Sequence, residues 1–349
     1  MGTDQPPVTV LKPLCGDDPE LYQNLRSFCE QDYSSWQIVF GVRSADDPAI
    51  EIVRSLMARY PDADLKLVVG GDAAAGNRKV GNLLNMLPAA RHELLVIADS
   101  DIRVRRNYLA EVTAPLGDPT VGLVTCLYRA LPAPGFWSRL TCLFVNHSFL
   151  PQALTAEALH IGGGCFGPTM ALRRQTLNAI GGFNAIAGHL ADDHALGAAA
   201  RRLGLKVVLS SYLLDKVIAE PSFRALLQHE LRWARTIRAI APVGFAGSIV
   251  THATALAVLA LPFVAWYDTM QIEGPIVFAL ALLCRAAVAW RFDRFLRLPR
   301  SPLWLLLVRD LLTFGIFLAG FFTRRVVWRG QLFRVGPDGQ LIFLREKLT

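Results

Sequence analysis

Residues 94–101 read Leu-Leu-Val-Ile-Ala-Asp-Ser-Asp, an apolar run that ends directly in two carboxylates. An unbroken apolar run of this length predicts a strand that is buried on both faces, as in a parallel sheet. Ligands bind at the carboxyl ends of the strands in such sheets. Aspartates are also common in plain turns, but their place after a strand favours a ligand site at Asp99 and Asp101. Their oxygen atoms suit Mg²⁺ or Mn²⁺ on a diphosphate.

Segments of strand length alternate with segments of helical spacing around this run. Apolar and β-branched runs predict further strands at residues 8–11, 36–42 and 65–69. Amphipathic spacing predicts helices at residues 21–30 and 49–60. This alternation predicts βαβ units and therefore an α/β fold with a mainly parallel sheet.

The composition changes near residue 240. The 349 residues are 52% hydrophobic and only 19% charged, which excludes a disordered chain and disfavours a purely soluble enzyme. Long apolar runs follow residue 240, at 245–267, 275–290 and 303–322. We therefore predict a catalytic part over residues 1–240 and a membrane region over 241–349. The membrane region would hold two or three apolar helices and end in a β-hairpin over residues 332–343.

The three apolar runs differ in how well they suit a bilayer. The first is long enough to span, the second is rather short, and the third contains Arg309 and Asp310, which are unfavourable in lipid unless they face protein, water or headgroups. We therefore predict two spans and a re-entrant or interfacial third run. Helices buried in a soluble core are the less favoured alternative. Arginine clusters flank the runs while the 268–274 link is acidic, so the catalytic part should be cytoplasmic.

Charge and aromatic patterning bear on the partners. A net charge of +7 suits a nucleic acid, an anionic lipid surface or a phosphorylated substrate. Because the arginines flank membrane runs, we expect a bilayer partner and no nucleic acid. Residues 130–155 are rich in aromatics and suit a membrane-surface segment, although a helix packed on the sheet is an equal alternative. The cysteines have no zinc-binding spacing.

Other polar residues also follow predicted strands or begin predicted helices. Asp47, after the second strand, would accept hydrogen bonds from a base or ribose, or would simply cap the next helix. Lys79 enters a helix from a polar loop and would meet a diphosphate, unless that loop is merely solvated. Asp192 and Asp193 open another helix, either as caps or with one of them as a general base.

Arg232 and Trp233 precede the first apolar run on a predicted helix. The arginine would stabilise a departing diphosphate, and the tryptophan would stack on a ring or lie at the membrane interface. An ordinary basic flank of a membrane helix is the competing interpretation. Residues 162–167 are glycine-rich and would let the backbone approach a ligand, or would form a sheet turn.

The ordered set of Asp47, Asp99-x-Asp101, Asp193 and Arg232-Trp233, followed by membrane runs, resembles the processive-like glycosyltransferases of the GT-A fold. The resemblance to the ceramide glucosyltransferases is closer and covers nearly the whole chain. It is carried by residues 12–14, 46–50, 77–83, 99–104, His147 and the Trp328-Arg329 tail. Within that group the chain is most similar to the bacterial hopanoid-associated glycosyltransferases, through residues 28–33, 85–88 and 230–238.

The resemblance implies a role for each of these positions. Asp47 would contact the nucleotide, and Asp99 with Asp101 would hold the metal and the donor diphosphate. Asp193, with Asp192 beside it, would be the general base. The resemblance assigns the diphosphate and acceptor region to Arg232 and Trp233, and the acceptor pocket to His147. The family usually has Gln or Arg where this chain has His229, which leaves one donor-side or acceptor-side contact open.

The resemblance also implies an activity. The chain would be an inverting enzyme in the bacterial inner membrane that moves N-acetylglucosamine from a UDP-sugar to a hopanoid hydroxyl. Transfer of glucose from UDP-glucose to ceramide is the alternative. A polysaccharide synthase would need more membrane spans than this chain offers. A non-catalytic membrane module is disfavoured by the placement of the aspartates. The family usually carries an N-terminal membrane anchor, so either the start is truncated or the C-terminal runs suffice.

Overall fold

The computed structural model describes residues 5–71, 76–161, 163–266, 273–328, 331–336 and 339–346. These residues form two compact units. The first unit contains the chain up to Ala133, then Ala153–Ala219 and Gly339–Leu341. The second unit contains Pro134–Gln152, Glu220–Asp338 and the residues from Ile342 onward.

Strands and helices alternate along the first part of the chain. In order they are β1 Val8–Pro13, α1 Leu21–Cys29, β2 Trp36–Val42, α2 Ala49–Arg59, β3 Leu65–Val69, α3 Arg78–Met86, β4 Leu94–Ala98, β5 Ile102–Arg103, α4 Tyr108–Thr113, β6 Val121–Thr125 and β7 Tyr128–Pro132. Then come α5 Phe136–Phe144, α6 Leu150–Ala158, β8 Thr169–Arg173, α7 Arg174–Ile180, α8 Asp192–Arg202, β9 Lys206–Leu209 and β10 Leu214–Ile218.

Helices dominate the remainder. They are α9 Phe223–Ile240, α10 Pro242–Gly247, α11 Ala253–Trp266, α12 Glu273–Phe295 and α13 Leu303–Gly320. Three strands follow, β11 Arg325–Trp328, β12 Gln331–Val335 and β13 Leu341–Glu346. A π-helical turn joins α5 to α6, so residues 136–158 are helical nearly throughout.

A seven-stranded sheet in the order β3-β2-β1-β4-β8-β6-β9 forms the centre of the first unit. The pairs β1–β2, β2–β3, β1–β4 and β6–β9 are parallel, whereas β8 runs antiparallel to β4 and β6. The predicted mainly parallel α/β fold is confirmed, and β2, β3 and β4 have the predicted bounds. A smaller sheet, β5-β10-β7, is the second sheet of this unit.

The central strand β4 is buried along its whole length, as its apolar sequence predicts. One hydrophobic cluster joins Leu95 and Ile97 of β4 to Leu83 of α3 and Leu196 of α8. Burying side chains of this size stabilises the fold by about 1.5–3 kcal/mol each. The cluster therefore holds α3 and α8 against the sheet, and the first turns of both helices carry candidate site residues.

The apolar runs of the second unit differ from the prediction in one respect. Residues 245–267, expected to form the best span, are broken: the segments Pro242–Thr251 and Ala253–Pro262 meet at an angle of 64°. The prediction was a re-entrant or interfacial third run, whereas the structure has its bend in the first run. Helices α12, with 23 residues, and α13, with 18, are long and apolar enough to cross a membrane.

Ion pairs explain why α12 and α13 tolerate charge. Asp310 of α13 accepts two hydrogen bonds from Arg285 of α12, at 2.7 and 2.8 Å. Arg309, the neighbour of Asp310, is fully buried and pairs with Glu230 of α9. Both charges of the Arg309-Asp310 pair thus face protein partners, which removes the reason to expect a re-entrant third run.

A three-stranded sheet in the order β11-β12-β13 follows α13. Strands β12 and β13 correspond to the predicted hairpin, whose turn residues 337–338 lie outside the described residues. Strand β11 was not predicted; it pairs antiparallel with β12. Most of the predicted 268–274 link, Arg329 of the Trp328-Arg329 tail and Gly162 of the glycine-rich stretch also lie outside the described residues.

Candidate functional site

The carboxyl edge of the first unit's sheet gathers the predicted acidic residues. Asp99 follows β4 directly and Asp101 comes two residues later, while Asp47 lies in the loop after β2. Because β1 pairs in parallel with both β2 and β4, the carboxyl ends of the three strands lie at the same edge of the sheet. Asp192 and Asp193 form the first turn of α8.

Lys79 connects two of these carboxylates. Its Nζ lies 2.7 Å from Asp99 Oδ1 and 3.3 Å from Asp192 Oδ2. Burial alone would lower the pKa of Lys79, but the carboxylates of Asp192 and Asp99 outweigh that effect and raise it. Lys79 therefore stays charged and joins the sheet edge to the start of α8. The predicted basic residue at this loop is thus part of the acidic cluster and is not merely solvated.

The cap of α3 places Lys79. Asn77 Oδ1 accepts hydrogen bonds from the backbone N–H groups of Lys79 and Val80, at 2.9 and 3.3 Å. Its Nδ2 donates to the carbonyl oxygen of His189 at 2.9 Å. One buried side chain therefore starts α3 and also ties that start to the loop that leads into α8.

Two further lysines surround Asp99 and Asp101, and we did not predict them as site residues. Lys12 of β1 is fully buried and donates to the backbone carbonyl of Asp99. Burial lowers the pKa of Lys12 to about 7 despite the nearby carboxylates. Lys216 of β10 lies 2.5 Å from Asp101 Oδ2 and 4.0 Å from Asp99 Oδ2. A lysine within a short strand that is rich in apolar residues is the sequence signal that both share.

The donor set at Asp99 and Asp101 fits a hard divalent cation. Asp101 Oδ1 is buried and has no hydrogen-bond partner among the described residues, although an unpaired buried carboxylate oxygen is unfavourable. Within the described ranges no group of three or more His, Cys, Asp or Glu side chains forms a ready metal site. Mg²⁺ commonly uses one or two carboxylates together with substrate phosphates, so two aspartates suffice for such a site.

Asp193 is held by backbone N–H groups. Its Oδ2 accepts a hydrogen bond from Gly167 at 2.8 Å and its Oδ1 accepts one from His194 at 2.7 Å. Burial, followed by the adjacent charge of Asp192, raises the pKa of Asp193 to about 6, against the two hydrogen bonds. Asp193 is therefore ionised near neutral pH while remaining a far better proton acceptor than an ordinary aspartate.

Gly167 connects Asp193 to Lys79. The carbonyl oxygen of Gly167 accepts from Lys79 Nζ at 3.4 Å, and its N–H bonds Asp193. A Cβ atom at this position would lie 3.0 Å from Asp193 Oδ2, so a side chain would press on the carboxylate. The close backbone approach expected of the glycine-rich stretch is made here to a side chain of the protein itself.

Asp47 holds the start of α2 and the loop after β1, and its contact with a nucleotide stays a prediction. Its carboxylate accepts from the backbone N–H of Ala49 at 3.0 Å, which starts α2, and from Gly16 at 3.0 and 3.2 Å. Gly16 has a φ of 78°, the left-handed region that favours glycine. Two residues on, Asp18 accepts from the hydroxyl of Ser100 at 2.7 Å. The loop after β1 thus links Asp47 to the Asp99-Ser100-Asp101 segment.

Three predicted residues share helix α9 of the second unit. The ring of Trp233 lies 4.1 Å from that of His229 and stacks on that of Phe144 at 6.2 Å. His229 Nδ1 lies 2.6 Å from Glu220 Oε1. Arg232, one residue before Trp233, is partly exposed. These contacts orient one face of α9 within its own unit.

His147 lies elsewhere in the second unit. Its Nε2 is 2.9 Å from Asp293 Oδ1 and 3.0 Å from the hydroxyl of Ser301, and the ring is almost fully buried. Asp293 also accepts from the backbone N–H of Ser301 at 2.8 Å. The histidine therefore joins the π-helical turn after α5 to the end of α12.

Comparisons with known proteins identify the family of this chain. The model of Glycosyl transferase family 21 matches residues 2–341. Ceramide glucosyltransferase 3 of Caenorhabditis elegans is 23% identical over 368 residues, covering 97% of this chain and 74% of that protein. Ceramide glucosyltransferase 1 of the same organism is 25% identical over 342 residues, covering 96% and 73%.

One solved structure shares the fold over most of the chain. It is a mannosyltransferase from Pyrobaculum calidifontis in complex with GDP-Man and Mn²⁺. The TM-score is 0.55 at 22% sequence identity, and the match covers 91% of this chain and 86% of that one.

Proposed function

Since this chain belongs to glycosyl transferase family 21, we propose that it moves a sugar from a UDP-sugar to a hydroxyl group of a membrane lipid, with inversion at the anomeric carbon. The protein is a glycosyltransferase, and its fold is the GT-A fold predicted from the sequence. The lysine-bridged cluster of Asp99, Lys79 and Asp192, with Asp193 beside it, is the observation that carries the proposal.

The donor diphosphate binds at the sheet edge in this proposal. Asp99 and Asp101 hold Mg²⁺ or Mn²⁺, and the orphan Oδ1 of Asp101 supports that role. A bound divalent cation supplies positive charge to the diphosphate, which stabilises it as a leaving group. Lys79, already charged and within the cluster, adds to that charge, and Asp47 contacts the nucleotide from the loop after β2.

Asp193 is the general base. It accepts the proton of the lipid hydroxyl, the hydroxyl oxygen forms a bond to the anomeric carbon, and the bond from that carbon to UDP breaks with its electron pair leaving on UDP. A single displacement inverts the anomeric carbon, whereas retention by double displacement would need a nucleophile on the opposite face. The raised pKa of Asp193 supports this role because it matches the base to neutral pH.

The α9 residues serve the diphosphate and the acceptor. Arg232 offers a guanidinium to phosphate oxygens, which it can bind with two parallel hydrogen bonds. Trp233 presents an aromatic ring to the acceptor region, and His229 takes the place of the family's Gln or Arg. His147 lines the acceptor pocket in this proposal. These four assignments rest on the family resemblance and on the shared unit.

The acceptor and its membrane are the finer part of the proposal. We assign a hopanoid acceptor and N-acetylglucosamine, with residues 1–240 on the cytoplasmic side of a bacterial inner membrane and residues 241–349 within it. Exposed apolar side chains at Phe136 and Leu154 support contact of the 130–155 segment with the membrane surface. Transfer from UDP-glucose to ceramide is the second candidate, since the relatives that match nearly the whole of this chain are named ceramide glucosyltransferases.

The test is incubation of membranes containing the protein with radiolabelled UDP-sugars and defined lipids. We expect a labelled lipid of low mass with one sugar, dependent on UDP-N-acetylglucosamine and a hopanoid. Label on ceramide from UDP-glucose would establish the second candidate. A labelled long polymer would contradict lipid transfer and favour a polysaccharide synthase.

A further inference from the structure

A cluster of four arginines stands at the end of the helix α13. Arg235 and Arg238 come from α9, and Arg324 and Arg325 follow α13. Among the described residues no carboxylate forms an ion pair with any of the four. So dense a positive charge without acidic partners is unusual within a protein and indicates an anionic ligand from outside.

The partners of these arginines are neutral. Arg238 donates to the carbonyl oxygens of Phe321 and, at 3.1 Å, of Thr323. Arg235 Nη1 donates to the carbonyl of Arg325 at 2.8 Å, and its Nε is buried without a hydrogen-bond partner among the described residues. The carbonyls hold the guanidinium groups in place but leave their charge uncompensated.

Electrostatics within the cluster agree with this geometry. Burial, and then the positive charge of Arg324, lower the pKa of Arg238. Burial, and then Arg238, lower the pKa of Arg235. Each guanidinium therefore feels repulsion from its neighbour, and a bound anion would relieve it.

An open cavity of about 500 Å³ lies at this cluster. Arg238, Thr323 and Arg324 supply its polar lining, and Pro242, Phe321 and Phe322 supply its apolar lining. Phe322 is 87% exposed, which is unusual for a large aromatic in water but natural at a bilayer interface. A ligand that combines phosphate with hydrocarbon matches both kinds of lining.

We propose that this cavity binds the phosphate of an anionic glycerophospholipid, with Arg238 and Arg324 on the phosphate and Phe321 and Phe322 against the lipid's apolar part. Guanidinium groups bind phosphate oxygens in pairs of parallel hydrogen bonds. The position at the end of α13, which is long and apolar enough to cross a membrane, favours a lipid over a soluble phosphate. The ligand is distinct from the proposed acceptor, whose reaction requires a hydroxyl and no phosphate.

The test measures lipids retained by the full-length protein. The protein is reconstituted in nanodiscs that contain phosphatidylglycerol and phosphatidylcholine and is then released from them. Native mass spectrometry counts the lipids that remain bound. We expect one retained phosphatidylglycerol in preference to phosphatidylcholine. R324Q should weaken that retention about fivefold, because one basic residue near an anionic lipid contributes about 1 kcal/mol. Arg324 is exposed and lies in the cavity, so its replacement spares the fold.

R300Q is the matched control, because Arg300 is an exposed arginine beside α13 that does not line the cavity. It should leave the retained lipid unchanged. Equal weakening by R300Q, or no preference for phosphatidylglycerol, would overturn the site. Free inorganic phosphate and UDP form the last arm: if either displaces the lipid at low millimolar concentration, the cavity binds a soluble phosphate and the assignment to lipid is wrong. The readout does not depend on sugar transfer, so it stands apart from the proposed function.

Discussion

Glu230 of α9 and Arg309 of α13 form a buried, two-pronged ion pair, with Arg309 Nη1 2.9 Å from Glu230 Oε1 and Nη2 2.6 Å from Oε2. The guanidinium also lies over the ring of Phe144, which in turn stacks on Trp233. Arg309 therefore contacts α9 directly through Glu230 and indirectly through Phe144, which stacks on Trp233. This arrangement couples the placement of Trp233 to the packing of α13.

We expect R309M to destabilise the protein strongly, because it leaves the Glu230 carboxylate buried without its partner. Breaking a buried pair in this way costs about 3–5 kcal/mol, whereas replacing both partners by apolar residues is often neutral. The double variant E230L/R309M should therefore unfold at a higher temperature than R309M alone. Thermal unfolding of the detergent-solubilised protein, followed by tryptophan fluorescence, measures the difference. A double variant no more stable than the single one would show that the pair is not the cause.

D193N should abolish transfer while the donor still binds. The amide has almost the shape of the carboxylate but cannot accept the proton of the acceptor hydroxyl, and loss of a general base lowers rates by roughly 10²–10⁴-fold. Calorimetric titration with the UDP-sugar should give an unchanged affinity. D62N, which alters an exposed aspartate in a turn, is the control and should retain full activity. Loss of donor binding in D193N would count against the role of base.

The transfer rate should fall as the pH drops through about 6. Asp193 has a raised pKa of about 6, and below that pH it is protonated and unable to act as a base. D192N removes a neighbouring negative charge that helps to raise this pKa, so its acid limb should move to lower pH. Rate profiles between pH 4.5 and 8 at saturating substrate test both points. An unchanged limb in D192N would mean that another group controls it.

G167A should slow transfer without weakening donor binding. The new methyl would lie 3.0 Å from Asp193 Oδ2 and displace the carboxylate by a few tenths of an ångström. A misplacement of 1 Å can lower a rate by about 100-fold, so we expect a loss of roughly tenfold here. G117A is matched in chemistry and has open space around its Cβ, so it should behave like the unaltered protein. Equal rates in the two variants would argue against a fixed Asp193 geometry.

Removal of divalent metal with EDTA should stop transfer, and added Mg²⁺ or Mn²⁺ should restore it. D101N should need a higher metal concentration for half-maximal rate, because it removes a charged oxygen ligand. D32N alters a carboxylate of an exposed ion pair with Arg106 and should leave the metal requirement unchanged. Full activity of the unaltered protein in EDTA would exclude the proposed metal role of Asp99 and Asp101.

Sequence patterns predicted four of the seven strands of the main sheet, β1 to β4, because strand formation there depends on local apolar runs. The bounds of β2, β3 and β4 follow from such runs, and so does the position of Asp99 at a strand end. The same patterns placed Lys79 where a polar loop enters a helix, and in the structure it lies in the first turn of α3. The predictions that depended on one short window of residues are the ones that agree in detail.

The disagreements concern partners that are far apart in the chain. The broken first run was missed because hydropathy records composition and not bends. The third run contains Arg309, which is unfavourable in lipid without a partner, and that partner, Glu230, lies 79 residues away in the chain. Lys216 was not predicted as a site residue for the same reason, because its partner Asp101 lies 115 residues away in the chain.

The sequence by itself determined the α/β class, the family resemblance and the acidic residues at strand ends, because each of these depends on residue type and short-range order. Only the tertiary structure decided which charges pair. Lys79 joins Asp99 to Asp192, and Gly167 joins Lys79 to Asp193. The energy of a buried charge depends on what lies within a few ångströms of it, and distance along the chain does not reveal that neighbour.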